Sequence, residues 1–303
     1  MLKNPLVSIV ILNYNSVEET KQCINSLKKI TYDNYTIIIV DNASKDNSYS
    51  ILKELYNEEY IILESQQNLG YADGNNLGIK YAMDNGADYI CVLNNDVAVE
   101  KDFLNLIVDE FKKDNCIGIV GPCICDYAER NIIQAMGANI NLFTGLTQGR
   151  YKGRRYNEIE AKNSYVDYLG GACFVCKKEV FHKIGLIPEN YFLFFEETEF
   201  CLSAMRAGYK LLCLYNSKIY HKRSSTISKY NGLSYYLLNR NRVVFIRRNG
   251  NAVQRIIFSI YIFIEALGRI IIRKEPFNLI ENILEGFKAD KNKFDLEAVK
   301  KLL

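Results

Sequence analysis

Three carboxylates, Glu196, Glu197 and Glu199, fall within four residues, and Phe192, Phe194, Phe195 and Phe200 surround them. A solvated acidic turn is not normally set among so many aromatic rings. Apolar surroundings and neighbouring like charges both disfavour an ionised carboxyl. Together they move its pKa toward the range where it works as a general base. Aromatic faces also suit sugar rings, which present apolar C–H surfaces. The competing explanation is structural, since acids at a helix N-terminus are favoured by its dipole. It can hold for Glu199 while Glu197 acts as a base.

A second set of polar residues ends successive apolar runs. These are Asn13-Tyr14-Asn15, Asp41-Asn42-Ala43-Ser44, the stretch from Asn68 and Gly70 through to Asn75 and Asn76, and Asn94-Asn95-Asp96. Each alone reads equally well as a turn or a helix cap. Four in succession point to a ligand at the carboxyl ends of strands, where open α/β sheets bind theirs. No G-x-G-x-x-G or Walker-type lysine loop follows the first run, so the phosphates of a nucleotide need another partner. A carboxylate-held Mg²⁺ or Mn²⁺ serves, because these ions take oxygen ligands and bridge phosphates. Asp96, directly after the run 89–93, stands where such a ligand belongs.

The chain has two histidines. His182 lies in a helical stretch and reads as a surface or capping residue. His221 follows an apolar strand and precedes Lys222 and Arg223. Position alone leaves a metal ligand and a loop histidine equally open, and the two cations suit either a diphosphate leaving group or solvent. Cys173-x-x-Cys176 has no histidine partner at zinc-finger spacing and reads as core thiols on a strand.

The elements that must position these groups follow from periodicity. Short β-branched runs at 7–12, 36–40, 61–64 and 89–93 have the pattern of strands buried on both faces. Helical spacing separates them at 17–29, 48–56 and 75–85. Beyond residue 100 a helix is expected over 103–111 and a strand over 117–122. A Gly-rich, loop-rich insertion with short strands is expected over 126–164, then a helix at 178–184, another completed at 202–208, and a strand at 210–215. From residue 233 the pattern is helical to the end. This alternation predicts an α/β fold with a mostly parallel central sheet and a C-terminal helical extension, divided as 1–225 and 226–303.

At 303 residues, 49% hydrophobic and 24% charged, the composition is ordinary for a globular protein. It excludes disorder, collagen and a long coiled coil. Nine cysteines, an odd number partly inside apolar runs, speak against a disulfide framework. The first residues show no secretory signal, so a cytoplasmic location is expected. Net charge is +3, unevenly spread: residues 226–303 hold 14 Lys/Arg against 7 Asp/Glu. Between 229 and 274 nine basic residues and three apolar blocks accompany a single acid, Glu265. The run 256–272 is short for a spanning helix and carries Glu265 and Arg269. An in-plane helix on the inner membrane leaflet is expected, with packing on the body as the alternative. No nucleic-acid partner is expected.

Taken in order, these motifs resemble those of inverting family-2 glycosyltransferases of the GT-A fold, closest to the branch that transfers rhamnose or related sugars. The resemblance covers about residues 5–225. The run 7–15 resembles the family's first strand and turn, with Asn13 on the nucleotide side. Ile39-Val40-Asp41-Asn42-Ala43-Ser44 matches the motif whose Asp contacts the nucleobase, and Asn68 to Asn76 is similar to the third motif. Asn94-Asn95-Asp96 occupies the D-x-D place, with Asn94 where a carboxylate is usual. Gly170-Gly171-Ala172 and Phe195-Glu196-Glu197-Thr198-Glu199 resemble the acceptor-side motifs, which implies acceptor roles for Gly171, Ala172, Glu196 and Glu199. Tyr220-His221 matches a late histidine that ligates the metal.

The resemblance implies transfer of a sugar from a UDP- or dTDP-sugar to a hydroxyl of a glycan or lipid-linked acceptor, with inversion. Glu197 would be the base. Mn²⁺ or Mg²⁺ would sit on Asp96, His221 and Asn94. A sugar nucleotidyltransferase and a non-catalytic nucleotide-sugar-binding protein are the rival expectations. The first lacks its basic Gly-rich loop after strand one.

Overall fold

The computed structural model describes residues 4–160, 162–222 and 231–300. Four apolar runs form β1 (Val7–Asn13), β2 (Tyr35–Asp41), β3 (Ile61–Glu64) and β4 (Tyr89–Asn94), with β1 parallel to β2 and β4, and β3 parallel to β2. Helices α1 (Val17–Leu27), α2 (Ser48–Tyr56) and α3 (Tyr71–Asp84) make the crossovers. Alternation within the strands splits the core into two layers. Val7, Ile9, Ile11, Ile37 and Ile39 face one side, and Val10, Ile38 and Val40 the other. In this register Asn13 is paired with Asp41, so the polar strand ends line up along one edge.

The second half adds β5 (Val97–Val99), α4 (Phe103–Lys113), β6 (Ile117–Asp126), β7 (Ile133–Ala135), β8 (Ala138–Asn141), β9 (Leu146–Gly149), β10 (Ser164–Val166), β11 (Cys173–Lys177), α5 (Lys178–Ile184), α6 (Glu196–Arg206) and β12 (Lys210–His221). The main sheet runs β10-β12-β6-β11-β4-β1-β2-β3, with β5 on β12 and β7 on β6. Strand β11 is antiparallel to both neighbours, so a parallel half meets a mixed half at β4. Strands β8 and β9 form a separate hairpin.

Three expectations shift. The third helix begins at Tyr71, not at residue 75, so the Asn-Gly stretch lies inside its first turns. Low helix propensity is outweighed there by contact: a Cβ on Gly74 would overlap Leu12, and one on Gly78 would overlap Val10. Only glycine lets this helix approach the sheet so closely. Strand β12 runs on past residue 215 to His221, pairing with β6 and, at its end, with β5. The acidic cluster forms the first turn of α6 rather than a stretch before a helix. Cys173 and Cys176 sit on opposite faces of β11, in different core layers, and all nine cysteines are free thiols.

The C-terminal part forms α7 (Asn231–Asn249), α8 (Ala252–Arg273), α9 (Asn278–Lys288) and α10 (Leu296–Lys300). The expected boundary at 225/226, with Arg223 and residues 229 and 230, lies outside the described residues. Four of the basic residues expected to face lipid are instead engaged by the protein, Arg242 and Arg248 with the body and Arg247 and Arg269 within the tail. Arg242 donates to Thr144 O (2.8 and 2.6 Å) and lies 2.7 Å from Glu265 Oε2. Arg247 donates to Gly286 O and Ala289 O. Arg248 pairs with Glu199, and Arg269 with Glu275. A guanidinium offers five donors in a fixed fork, which suits the carbonyls and carboxylates left at helix ends. Among the described residues no helix is long and apolar enough to cross a membrane.

Candidate active site

The end of β4 turns through Asn95 and Asp96 into β5. Asn95 is held in that turn, its Nδ2 donating to Ser16 Oγ (2.7 Å) and Thr20 Oγ1 (3.0 Å). Asp96 is 3% exposed, yet its Oδ2 has no hydrogen-bond partner. Pairing of His221 with Val97 sets the imidazole beside it, with Nε2 3.3 Å from Asp96 Oδ1 but not aligned for a hydrogen bond.

The other ring nitrogen explains why. His221 Nδ1 lies 3.1 Å from Gln134 Oε1, and Gln134 Nε2 donates to Asp126 Oδ2 (3.0 Å) and to His221 O (2.7 Å). Those acceptors fix the amide orientation, so Gln134 Oε1 must accept and Nδ1 must carry the proton. The Nε2 lone pair is thereby left bare 3.3 Å from Asp96 Oδ1, and the other oxygen of that carboxylate, Oδ2, is buried without a partner. Unsatisfied buried acceptors on two adjacent side chains fit a cation held by both.

Asn94 lines the same cavity. Among the described residues no group of three His, Cys, Asp or Glu could hold a metal. The residues that could hold a divalent ion such as Mg²⁺ or Mn²⁺, with phosphate oxygens and water completing its shell, are Asp96 and Asn94 in the lining and His221 against Asp96. Gln134 and Asp126 escaped sequence reading because they lie 87 and 95 residues before His221 and carry no local pattern. Lys222 donates to Gln22 and sits over the Tyr127 ring, away from the cavity.

The first two strand ends are tied together. Asp41, 1% exposed, accepts from Asn13 Nδ2 (2.8 Å), Ser44 Oγ (2.7 Å) and Ser44 N (2.9 Å). Asn13 Oδ1 in turn accepts from Thr20 (2.9 Å). Neither Asn13 nor Asp41 lines the cavity, but Asn42 and Asn68 do. Asn42 Nδ2 donates to Asn68 Oδ1 and Gly70 O, and its buried Oδ1 has no partner. Asn76 lies elsewhere: it donates to Ile187 O (2.8 Å) and Glu189 Oε1 (2.9 Å) and accepts from Ile187 N (3.1 Å), tying α3 to the loop after α5.

The cavity, about 350 Å³, is closed on its far side by Gly171, Ala172, Tyr168, Phe192, Phe194 and Glu197. Glu197 stands on the first turn of α6, and burial pushes its carboxyl up to about 7. Gly171 makes room for it, since a Cβ there would overlap Glu197 Oε1. The Gly171 carbonyl accepts from Tyr71 OH (2.7 Å), and the Ala172 carbonyl from Asn94 N (3.0 Å). Base and metal side are thus connected through one short segment.

The two other acids do different work. Glu196 is 1% exposed with no hydrogen-bond partner at either side-chain oxygen. Burial, and then the neighbouring Glu197, push it well above the usual carboxylate range. Glu199 turns away into an ion pair with Arg248 (2.7 Å) and accepts from Asn249 Nδ2 (2.7 Å) and Tyr191 OH. It holds α6 to α7.

Phe192, Phe194 and Phe195 carry positive φ of 65°, 69° and 77°. Such backbone is strained for a bulky residue and persists only where surroundings hold it. Asn241 of α7 does this, its Nδ2 donating to the carbonyls of Tyr191 (2.9 Å), Leu193 (2.8 Å) and Phe194 (3.2 Å). Tyr71 N donates to Phe192 O (2.7 Å), and Phe192 stacks on Phe294 (5.5 Å between centroids). Leu233 and Ser234 at the start of α7 also line the cavity.

A mixed sheet with a cavity at the carboxyl ends of its parallel half, lined by Asp96 on one side and Glu197 on the other, is the arrangement of the GT-A class of glycosyltransferase. Solved structures of that fold superpose on the chain. TarS 1–349 of S. aureus gives a TM-score of 0.61 at 16% identity, over 93% of this chain and 79% of that one. The mannosyltransferase PcManGT of Pyrobaculum calidifontis, in complex with GDP-Man and Mn²⁺, gives 0.59 at 13% identity, over 99% and 79%. The sequence profile "Glycosyl transferase family 2" matches residues 8–185, and the chain belongs to that family. Among curated relatives, the low-salt glycan biosynthesis hexosyltransferase Agl10 of Haloferax volcanii is 27% identical over 201 residues, 66% of this chain and 62% of that protein. The dTDP-rhamnosyl transferase RfbF of Shigella flexneri is 23% identical over 270 residues, 85% and 86% of the two chains.

Proposed function

We propose that this protein transfers a sugar from a nucleoside-diphosphate donor, UDP- or dTDP-linked, to a hydroxyl of a glycan or lipid-linked glycan, with inversion, in the cytoplasm. The observation that carries the reading is that Glu197 and Asp96 line one cavity, with His221 against Asp96. The glycan relatives support it. Glu197 takes the proton of the acceptor hydroxyl as that oxygen bonds to the anomeric carbon, and the bond from that carbon to the diphosphate breaks on the opposite face. One displacement inverts the centre, through a transition state with oxocarbenium character.

A carboxyl near neutrality is matched to this task. Gly171 gives it room, and Tyr71 fixes the Gly171 carbonyl behind it. Asp96, His221 and Asn94 would hold Mn²⁺ or Mg²⁺, which when bound stabilises charge on the diphosphate. Asn42 and Asn68 lie on the base and ribose side. Asn13 and Asp41 shape that wall from behind, and Asn95 lines the cavity beside Asp96. Residues 1–225 carry the donor site in this reading, and 226–303 complete the acceptor side around Gly171, Ala172 and Glu196.

The test is incubation with a panel of nucleotide sugars and Mn²⁺, reading free nucleoside diphosphate and thermal shift. Nucleoside diphosphate release with a UDP- or dTDP-sugar, lost in Asp96→Ala and less affected in Asn94→Ala, is the expected result. Pyrophosphate chemistry would assign a nucleotidyltransferase instead. A thermal shift without turnover would assign a binding protein.

A further inference from the structure

Helix α8 is apolar on the face that meets solvent. Phe258, Ile262 and Ala266 turn inward and are buried. On the opposite side Val253, Ile256, Ile260, Ile264, Leu267 and Ile271 are each between 53% and 70% exposed. Their spacing by three and four makes a single stripe, about 27 Å long at the helical rise of about 1.5 Å per residue. The hairpin turn between β8 and β9 packs on the inward side, Gly145 against Arg242, Ile246 and Phe258, and leaves Phe143 and Leu146 exposed. Phe277, just past the helix, is 78% exposed.

The charges of α8 lie off this stripe. Glu265 is paired with Arg242, and Arg269 with Glu275. The exposed charges of α8 are all cationic, Arg255 in its first turn and Arg273 and Lys274 at its end; by helical spacing Arg255 and Arg273 lie on the polar side of the helix, not on the stripe. A contiguous apolar surface of this extent marks an interaction site, and the cations select the occupant. An apolar face opposite cationic side chains at both ends is the pattern of a helix lying in the plane of an anionic lipid surface, which the long arginine and lysine side chains reach from the polar side.

We propose that the outward face of α8 lies in the headgroup–acyl boundary of an anionic bilayer, parallel to its plane. The inference is independent of the transfer reading and its test needs no donor. Helix α7 joins the two sites, lining the cavity with Leu233 and Ser234 and packing on α8 further along.

The chain has no tryptophan, so Ile264→Trp places a single reporter on the stripe, and Leu55→Trp, at a half-exposed site on α2, serves as control. Purified full-length variants are mixed with phosphatidylglycerol or phosphatidylcholine vesicles. With anionic vesicles, a blue shift and quenching by brominated lipid are expected for the Ile264→Trp reporter and not for the Leu55→Trp control. In co-sedimentation, Ile260→Gln/Ile264→Gln should lose binding at unchanged melting temperature. Arg273→Gln/Lys274→Gln should weaken anionic binding at low salt by about five-fold per residue. Three results would overturn the proposal: no shift and no sedimentation at low salt, undiminished binding by the Ile260→Gln/Ile264→Gln variant, or a lipid-free dimer of the parent chain that this variant turns into a monomer.

Discussion

At the level of single residues, the clearest consequence concerns Glu197. Its carboxyl titrates near 7 in the folded protein against an ordinary 4.5 because burial disfavours its charge. Transfer should rise with pH through about 7, as the base loses its proton. Stability should run the other way: the folded state binds the proton more tightly than the unfolded chain, so stability falls as pH rises from about 4.5 to 7. Glu197→Gln removes that cost. It should match the parent near pH 4, exceed it by up to roughly 3 kcal/mol near pH 8, and lose transfer by about 10²–10⁴-fold. Melting curves and initial rates across pH check both halves.

Gly171→Ala makes a different split. The atom its Cβ would meet is the far end of a side chain, so the chain should fold normally while displacement of the base lowers kcat about 10²-fold. Gln134→Leu removes the acceptor that holds the proton on His221 Nδ1, and Mn²⁺ affinity in a direct titration should fall about 10–100-fold. Glu197 and Asp96, which line the cavity, were legible as site candidates from their local context; His221 was legible only through the motif it matches. Gln134 was not legible, since its role exists only where β7 meets β12.

At the level of elements, the loop before α6 is the part under most strain, and it is held from elsewhere. Asn241→Ala would leave the carbonyls of Tyr191, Leu193 and Phe194 without their shared donor. A loss of roughly 1–3 kcal/mol is expected by analogy with other buried unsatisfied groups. A drop in kcat at unchanged donor affinity should accompany it, because the loop carries the acceptor side and not the nucleotide side. Denaturant titration and donor binding separate these effects. The parallel strands were readable from their β-branched runs. The start of α3 was not, because glycines that read as a breaker permit close packing on the sheet. The extension of β12 to His221 was likewise hidden, since the polar Asn216 and Ser217 fall in a register shift, beyond which pairing with β6 resumes at Lys218 and pairing with β5 begins at Ile219.

At the level of the whole molecule, the tail is built into the site. Truncation after residue 225 would strip Glu199 of Arg248 and Asn249 and the aromatic loop of Asn241. A buried carboxylate left without its partner costs roughly 3–5 kcal/mol. The truncated chain should lose its cooperative melt and elute as aggregate in size-exclusion chromatography, whereas a truly separate extension would leave both unchanged.

The positions of the first four strands, their polar ends, the candidate base Glu197 and the family motifs were legible in the sequence alone, because each rests on periodicity or on neighbours within a few residues. Tertiary structure decided what depended on long-range contact. It took Asn76 and Glu199 out of the cavity and into structural bonds. It left one bare lone pair on His221 through Gln134. It also turned most of the tail's arginines inward and the isoleucines of α8 outward. Helical spacing places the buried and the exposed stripes of α8 equally well, and only the position of α7 and its arginines determines which of them faces the body.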